Sequence, residues 1–561
     1  MAEGADREQA DAPRFSVITP VYDTPADVFW AMVGSVLGQS FGDWELCLVD
    51  DCSPAPHVAS LLDEVEGMDP RIRVQRRAEN GGIVAASNDA VAMARGEFLA
   101  LLDHDDELHP DALRLVDAAL RAEPEADYAY TDEDKIDRAG HHSGPFFKPD
   151  WSPERMRTQM YSCHLSVFRR TLVEAVGGFD PEFEGSQDWD MVLKATERAR
   201  AVVHVPRVLY HWRMLEGSTA GADESAKPWA FEAGTRAIQA HLDRIGMPAR
   251  VTHDPDDRGV YHLDPALTEE PLVSIVIPTA CQTREVRYEP VVLISHCLRS
   301  IVEHSTYENY ELVVVVDAPA EEALLEELRQ IGGERLRLVS YEKPFSYSDK
   351  VNVGAAAARG EHLLLLNDDI EVATPNWIER MVMYSGLEGM GAVGGKLLLQ
   401  DGRLQHVGVK FENGLPGHHY WGFRGDFRGY ANIVRTAQNC LAVTAACLMT
   451  RRELFEQLGG LSDEFPVNYN DIDYCLRLRQ AGKRTVYDPD LEMFHFESSS
   501  RSSAVNEWEK QLFRERWLRF TDPDPYSNPQ LRHELPRPSS KLSWMRRRPQ
   551  LRRRRPKGQP V

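Results

Sequence analysis

The 561-residue chain is 42% hydrophobic and 27% charged, which excludes wholesale disorder, and it is too long for one ordinary core, so two large domains or three smaller ones are expected. Its formal net charge of −24 at pH 7 excludes nucleic acid as a general partner, because a binder of polyanions needs a basic surface.

Residues 1–13 are polar and acidic, unlike a secretion signal, and are expected to be disordered. "FSVITPVY" (15–22) is an apolar, β-branched run interrupted by Pro20 and reads as a strand. "DWELCLVDD" (43–51) is a second strand, ending on Asp51. That carboxylate either bonds its neighbouring backbone in a turn or accepts from a nucleotide's base or ribose. "NGG" (80–82) is a turn signal; no phosphate-loop or dinucleotide glycine fingerprint is present, which argues against kinases and dehydrogenases. Asn88 opens a small-residue helical pattern leading to "LALLDHDDELHP" (99–110), where a buried strand runs straight into Asp103, His104, Asp105 and Asp106. Clustered carboxylates resist desolvation and call for a cation or partner; the alternative is a strand end followed by a helix cap. Asp188 in "QDWD" and His211 in "LYHWR" follow.

The same order then recurs. "VSIVIPTA" (273–280, with Pro278) matches the first strand, "NYELVVVVD" (309–317) places Asp317 opposite Asp51, and "NVGAAAARGEHLLLLNDDI" (352–370) places Asn352, Asn367 and Asp369 opposite Asn88, Asp103 and Asp105. "QLGGLSDEF" (457–465) resembles "AVGGFDPEF" (175–183), Asp471 in "DID" answers Asp188, and His495 in "MFHFE" answers His211. Asp51 lies 54 residues before Asp105 and Asp317 lies 52 before Asp369, while the Asp188–His211 and Asp471–His495 separations are 23 and 24. A duplicated domain accounts for this agreement. Each copy alternates β-rich runs with helical patterns, which predicts α/β units around a mainly parallel sheet, with ligands at the C-terminal strand ends. The expected boundaries are a first domain over 14–250, a polar, proline-bearing linker over 251–271, a second domain over 272–520 and a Pro/Arg-rich tail over 521–561.

Hard oxygen ligands with an imidazole suit Mn2+ or Mg2+, and an O,O,N set with open positions leaves room for a diphosphate. A histidine in an apolar segment is otherwise a satisfied core residue; its recurrence at matched spacing favours the ligand reading.

Taken together, "ITPVY", "VDDCS", "LDHDD" and "QDWD", with "NDIDYCLRL" and "HFESSSR" in the second copy, resemble the family 2 inverting glycosyltransferases of the GT-A fold, over roughly 14–220 and 271–505. The second copy is particularly similar to bacterial rhamnosyl- and galactofuranosyltransferases of surface polysaccharide synthesis. The resemblance implies two tandem GT-A, Rossmann-like domains, each using one divalent metal and a nucleotide-sugar donor, and a saccharide or lipid-linked saccharide acceptor. It implies metal and diphosphate binding by Asp103, Asp105 and His211 in the first domain and by Asp369 and His495 in the second. Asp188 and Asp471 would be the general bases. Pro20, Asp51, Asn88, Pro278, Asp317 and Asn352 would line the nucleotide pockets. Four positions depart from the pattern: Asn367 replaces the first acid of the metal-binding element, Gln187 and Asn470 replace the acid before each base, and Val316 stands where the first copy has Asp50. The first departure implies weaker metal affinity in the second domain.

The eight cysteines lack metal-ligand spacing and are expected to be reduced thiols. With no window apolar enough to span a membrane, the chain is expected in the cytoplasm, at the inner face of the cell membrane. Residues 541–561 carry nine Lys or Arg and no acid, with Trp544, Met545 and Leu551 interleaved, which fits either a peripheral anchor on anionic lipid or a solvated tail. "KPDW" (148–151) and "GHHYWGF" (417–423) are acceptor-side candidates, or packing residues. Three rival readings stand beside a two-site transferase: one active domain with a degenerate copy, a GT-A-like nucleotidyltransferase that releases pyrophosphate, and a non-catalytic saccharide-binding protein.

Overall fold

A computed structural model describes residues 12–215, 228–257, 259–496 and 505–533. It contains two large mixed sheets with the same strand order. In the first, parallel strands Ile72–Arg76, Trp44–Asp50, Phe15–Val21 and Phe98–Leu101 lie side by side; then come Ser166–Arg169, Ala126–Ile136, Ala201–Arg213 and the two-residue edge strand Glu107–Leu108. In the second, Leu336–Tyr341, Tyr310–Asp317, Val273–Thr279 and His362–Leu366 are followed by Cys447–Arg451, Met390–Leu398, Arg484–His495 and Ile370–Val372. The parallel block in each is built by β-α-β connections, as the alternating pattern predicts. Beyond it both sheets turn antiparallel at the same strand, Ser166–Arg169 and Cys447–Arg451. Every residue of Trp44–Asp50 and of Val273–Thr279 is buried, as befits strands covered on both faces.

Much of the repeat is architectural. Ser16 Oγ donates to Glu45 (2.6 Å), whose carboxylate also accepts from the Arg95 N–H (2.6 Å) and Arg95 Nε (3.0 Å). Ser274, Glu311 and Arg359 reproduce the clamp at 2.7, 2.6 and 2.9 Å. A Cβ on Gly96 or Gly360 would come within 2.6 Å of neighbouring backbone, so "ARGE" recurs because the helix-to-strand crossing leaves no room for a side chain.

The stretch 251–271, expected as a linker, contains most of an antiparallel hairpin, Ala249–His253 with Tyr261–Pro265, preceded by helix Pro228–Ile245. Its alternation is only five residues long and ends on proline, too short to stand out from a polar sequence. The hairpin is fastened to both domains: the Tyr261 N–H donates to the Thr158 carbonyl (2.9 Å), and the His262 ring bonds Asp254 and Asp490. Between domains, Arg484 reaches the fully buried Glu154 (3.2 Å) and Ser152 Oγ donates to Asn439 Oδ1 (2.8 Å). Residues 521–533, expected as the start of the tail, pack against both domains: Asp524 accepts from the Phe411 N–H (3.2 Å), and Asn528 Nδ2 donates to both oxygens of Asp132 (3.1 and 2.9 Å). The basic run 541–561 lies outside the described residues. All eight cysteines are free thiols, five of them buried. Among the described residues no helix is long and apolar enough to cross a membrane.

Candidate active site

In the second domain, strand His362–Leu366 delivers Asn367, Asp368 and Asp369 to the C-terminal edge of the parallel block. The short strand Ile370–Val372 then pairs with Arg484–His495 in a register that sets Ile370 against His495. This brings His495 Nε2 to 3.0 Å from Asp369 Oδ1. On the other side of the ring Nδ1 donates to Gln405 Oε1 (2.8 Å), an amide oxygen that can only accept, which leaves Nε2 facing the acids. Asp368 accepts from Thr279 Oγ1 (2.6 Å); burial first, and then the neighbouring Asp369, push its carboxyl up to about 6.

These groups open onto a cleft of about 980 Å³ that also takes in Pro278, Lys350, Tyr469 and Asp471. Asp471 sits in the first turn of helix Asn470–Gln480, and its carboxylate accepts from the Ala445 N–H (3.0 Å) and the Ile472 N–H (2.9 Å), which holds it at the cleft wall. Buried Lys350 donates to the Thr279 carbonyl (2.8 Å) and to Asp317 (2.7 Å), tying Asp317 to the same wall. Of the second-domain residues singled out from sequence, Pro278, Asp369, Asp471 and His495 therefore meet in one cleft, with Asp317 joined through Lys350. Asn352 does not: its amide donates to the Leu461 carbonyl (2.8 Å) and accepts from the Leu461 N–H (2.9 Å), a closed clamp between its helix and the Gly459–Gly460 loop.

The first domain repeats that clamp with Asn88 and Phe179 (2.8 and 2.9 Å), so both asparagines recur for packing and their amides are spent. Asp51 bonds its neighbouring backbone. Its two oxygens accept from the N–H groups of Gly81 (2.9 Å) and Gly82 (2.8 Å), at the start of helix Gly82–Met93. Pro20 keeps the register of Pro278, each opposite a valine of the neighbouring strand.

The metal set expected in the first domain is not the one assembled. Asp103 and Asp106 meet His164, with one ligand atom from each inside a 4.8 Å group. Asp106 is buried and accepts from the Tyr210 hydroxyl (2.5 Å) and the Arg213 N–H (2.7 Å); burial, then Asp103 and Asp105, push its carboxyl well above the usual range. His164 lies 4.6 Å from the Tyr210 ring and 5.7 Å from Trp212, and burial pushes its imidazole down to about 4. His211 is elsewhere. Strand Glu107–Leu108 pairs Glu107 with His211, one residue out of step with the second domain, where the position matching Glu107 pairs with Phe494. A one-residue slip sends a side chain to the opposite face. Tyr210 and Trp212 thus flank His164, and His211 turns away to bond Asp134 (2.6 Å). Asp105 offers its backbone carbonyl to Arg213 Nε (2.8 Å) and stays close enough for its charge to act on Asp106 and His164. Asp188 occupies the first turn of helix Gln187–Thr196, where burial pushes its carboxyl up; its charge reaches Cys163, next to His164.

Sequence reading missed Asp106 as the inward acid, His164, Asp368, Lys350 and Gln405. Only residues shared by both copies carried weight there, and His164 and Lys350 stand opposite Ala446 and Ala86. Both acid and imidazole sets fit a hard divalent ion. Burial first, and then the neighbouring acids, raise the carboxyls of Asp106 and Asp368, and a bound cation would offset both effects.

Residues 16–177 match the family model described as glycosyl transferase family 2, and residues 271–517 match the one described as glycosyltransferase like family 2. The uncharacterized protein y4gI of Sinorhizobium fredii is 41% identical over 94% of this chain and 58% of its own length. The O-antigen biosynthesis protein RfbC of Myxococcus xanthus is 36% identical over 92% of this chain and 40% of its own. The chain thus spans about half the length of these relatives. A crystal structure of S. aureus TarS residues 1–349 aligns over 41% of this chain and 65% of its own, at 20% identity and a TM-score of 0.33.

Proposed function

Because the chain belongs to glycosyltransferase family 2, with two such domains in tandem, we propose that it is a metal-dependent inverting transferase that moves sugars from nucleotide-sugar donors onto a growing cell-surface polysaccharide. The observation that carries this reading is the second-domain cleft, where an acid and imidazole set and a separate carboxylate, Asp471, share one cavity large enough for a nucleotide sugar. The O-antigen role in the name of one relative supports the polysaccharide product. A lipid-linked acceptor, and work at the inner face of the membrane, belong to the same proposal.

A sugar hydroxyl is a poor nucleophile, so a carboxylate within hydrogen-bond reach must take its proton as attack proceeds. Asp471 is the base in the second domain and Asp188 in the first. Asp369 and His495, with Asp368 beside them, would hold one divalent ion; Asp103, Asp106 and His164 would hold another. When bound, such an ion neutralises charge developing on the departing nucleoside diphosphate. Lys350 adds fixed positive charge to the same wall, and Gln405 holds the His495 ring in place. One displacement with the base opposite the leaving group inverts the anomeric carbon.

The test is to incubate the protein with Mn2+ and a panel of nucleotide sugars, following nucleoside diphosphate release for wild type, Asp188→Asn and Asp471→Asn. Loss of a distinct donor in each variant supports two working sites. Loss in Asp471→Asn alone leaves the first domain a binding or structural copy. Release of pyrophosphate when the protein is given a nucleoside triphosphate and a sugar 1-phosphate makes it a nucleotidyltransferase, and the absence of metal-dependent donor binding by calorimetry would sink the transferase reading.

A further inference from the structure

His211, turned away from the acid cluster, has company of its own. Asp134 lies on strand Ala126–Ile136 between two imidazoles: His211 Nδ1 is 2.6 Å from Asp134 Oδ1, and His142 Nδ1, on strand His142–Phe146, is 3.0 Å from Oδ2. The two rings meet edge to face at 4.4 Å between centroids. One ligand atom from each of the three residues falls inside a 4.8 Å group. Three strands fix this arrangement, since Asp134 pairs directly with His211 across the parallel ladder and the turn beyond Ile136 brings His142 back.

We propose that Asp134, His142 and His211 form a Zn2+ site distinct from the donor-site acids. Two imidazole nitrogens and one carboxylate are a borderline donor set that favours Zn2+ over Mg2+, and Zn–N bonds of about 2.0–2.1 Å are compatible with ligand atoms already this close. His142 is exposed, so an ion has a path in and a position open to water. Asp134 and His211 are mostly buried and give the site a rigid floor. The site is separate from Asp103, Asp106 and His164 because side chains alternate along a strand: Tyr210 and Trp212 face His164, and His211 between them cannot. Bound Zn2+ would staple the hairpin that ends near residue 146 to strand Ala201–Arg213.

The test uses the full chain, stripped with a chelator and titrated with ZnCl2 against a chromophoric competitor, alongside His142→Gln, His142→Cys and Asp103→Asn. The expected result is loss of one Zn2+ equivalent, or affinity weaker by about tenfold or more, in His142→Gln, with retention in His142→Cys and in Asp103→Asn. A thermal midpoint raised by Zn2+ in wild type should not rise in His142→Gln. Unchanged Zn2+ binding in His142→Gln would overturn the proposal, leaving a hydrogen-bonded His-Asp-His triad. So would no binding by wild type, or loss in Asp103→Asn alone, which would place the ion at the other cluster.

Discussion

His495 Nε2 lies 3.0 Å from Asp369 Oδ1, whereas its sequence counterpart His211 bonds Asp134 on the opposite face of its strand. Equivalent positions in a duplicated domain have thus been given different partners by a one-residue difference in strand register. The second-domain cleft is accordingly the place to test chemistry first.

Asp471→Asn removes the proton acceptor and keeps the shape, although the amide oxygen can accept from only one of the Ala445 and Ile472 N–H groups. Transfer by the second domain should fall by about 10²–10⁴-fold in kcat. Donor affinity, measured by calorimetry, should stay at the wild-type value.

Gln405→Leu keeps the volume but lets the His495 ring rotate and change tautomer. Metal affinity should fall roughly 10–100-fold, the usual effect of losing a residue that orients a ligand. Titrating Mn2+ against activity would show this as a rightward shift, with the original rate recovered at saturating metal.

Asn88→Ala and Asn352→Ala open clamps that lie outside the donor sites. Each leaves a carbonyl and an N–H of its glycine loop without their partner, a cost of about 1–3 kcal/mol. Urea unfolding midpoints should drop, while donor Kd should not move; a donor defect without a stability defect would restore these residues to the nucleotide pocket.

Arg484→Met strips one cation from the fully buried Glu154, leaving Arg157 at 3.2 Å as its remaining partner. Removing one member of a buried ion pair costs about 3–5 kcal/mol, and the second arginine should hold the loss to the low end. Differential scanning calorimetry should show the two domains melting further apart as their junction weakens.

His262 bridges Asp490 and Asp254, and their carboxylates raise its imidazole from the usual range to about 9, with Asp490 the leading cause. A raised folded-state value stabilises the protein fully below the unfolded value of about 6.5, and the contribution fades as pH climbs through about 9. Stability measured from pH 6 to 10 should decline across that window, and His262→Asn should flatten the decline.

The duplication, the order of strands in each copy and the four residues that meet in the second-domain cleft were legible in sequence, because strand ends and conserved spacing along the chain are local properties that a linear pattern records. Even so, the repeat mixed two signals. Asn88, Asn352, Glu45 and Glu311 recur because the fold is held together at those points, while Asp471 and His495 recur at the cleft. What only the tertiary structure decided is which side chains share a face. His211 left the acid cluster, His164 entered it, and Lys350 joined Asp317, because the pairing register between strands far apart in the chain sets those meetings and no spacing along one strand encodes it.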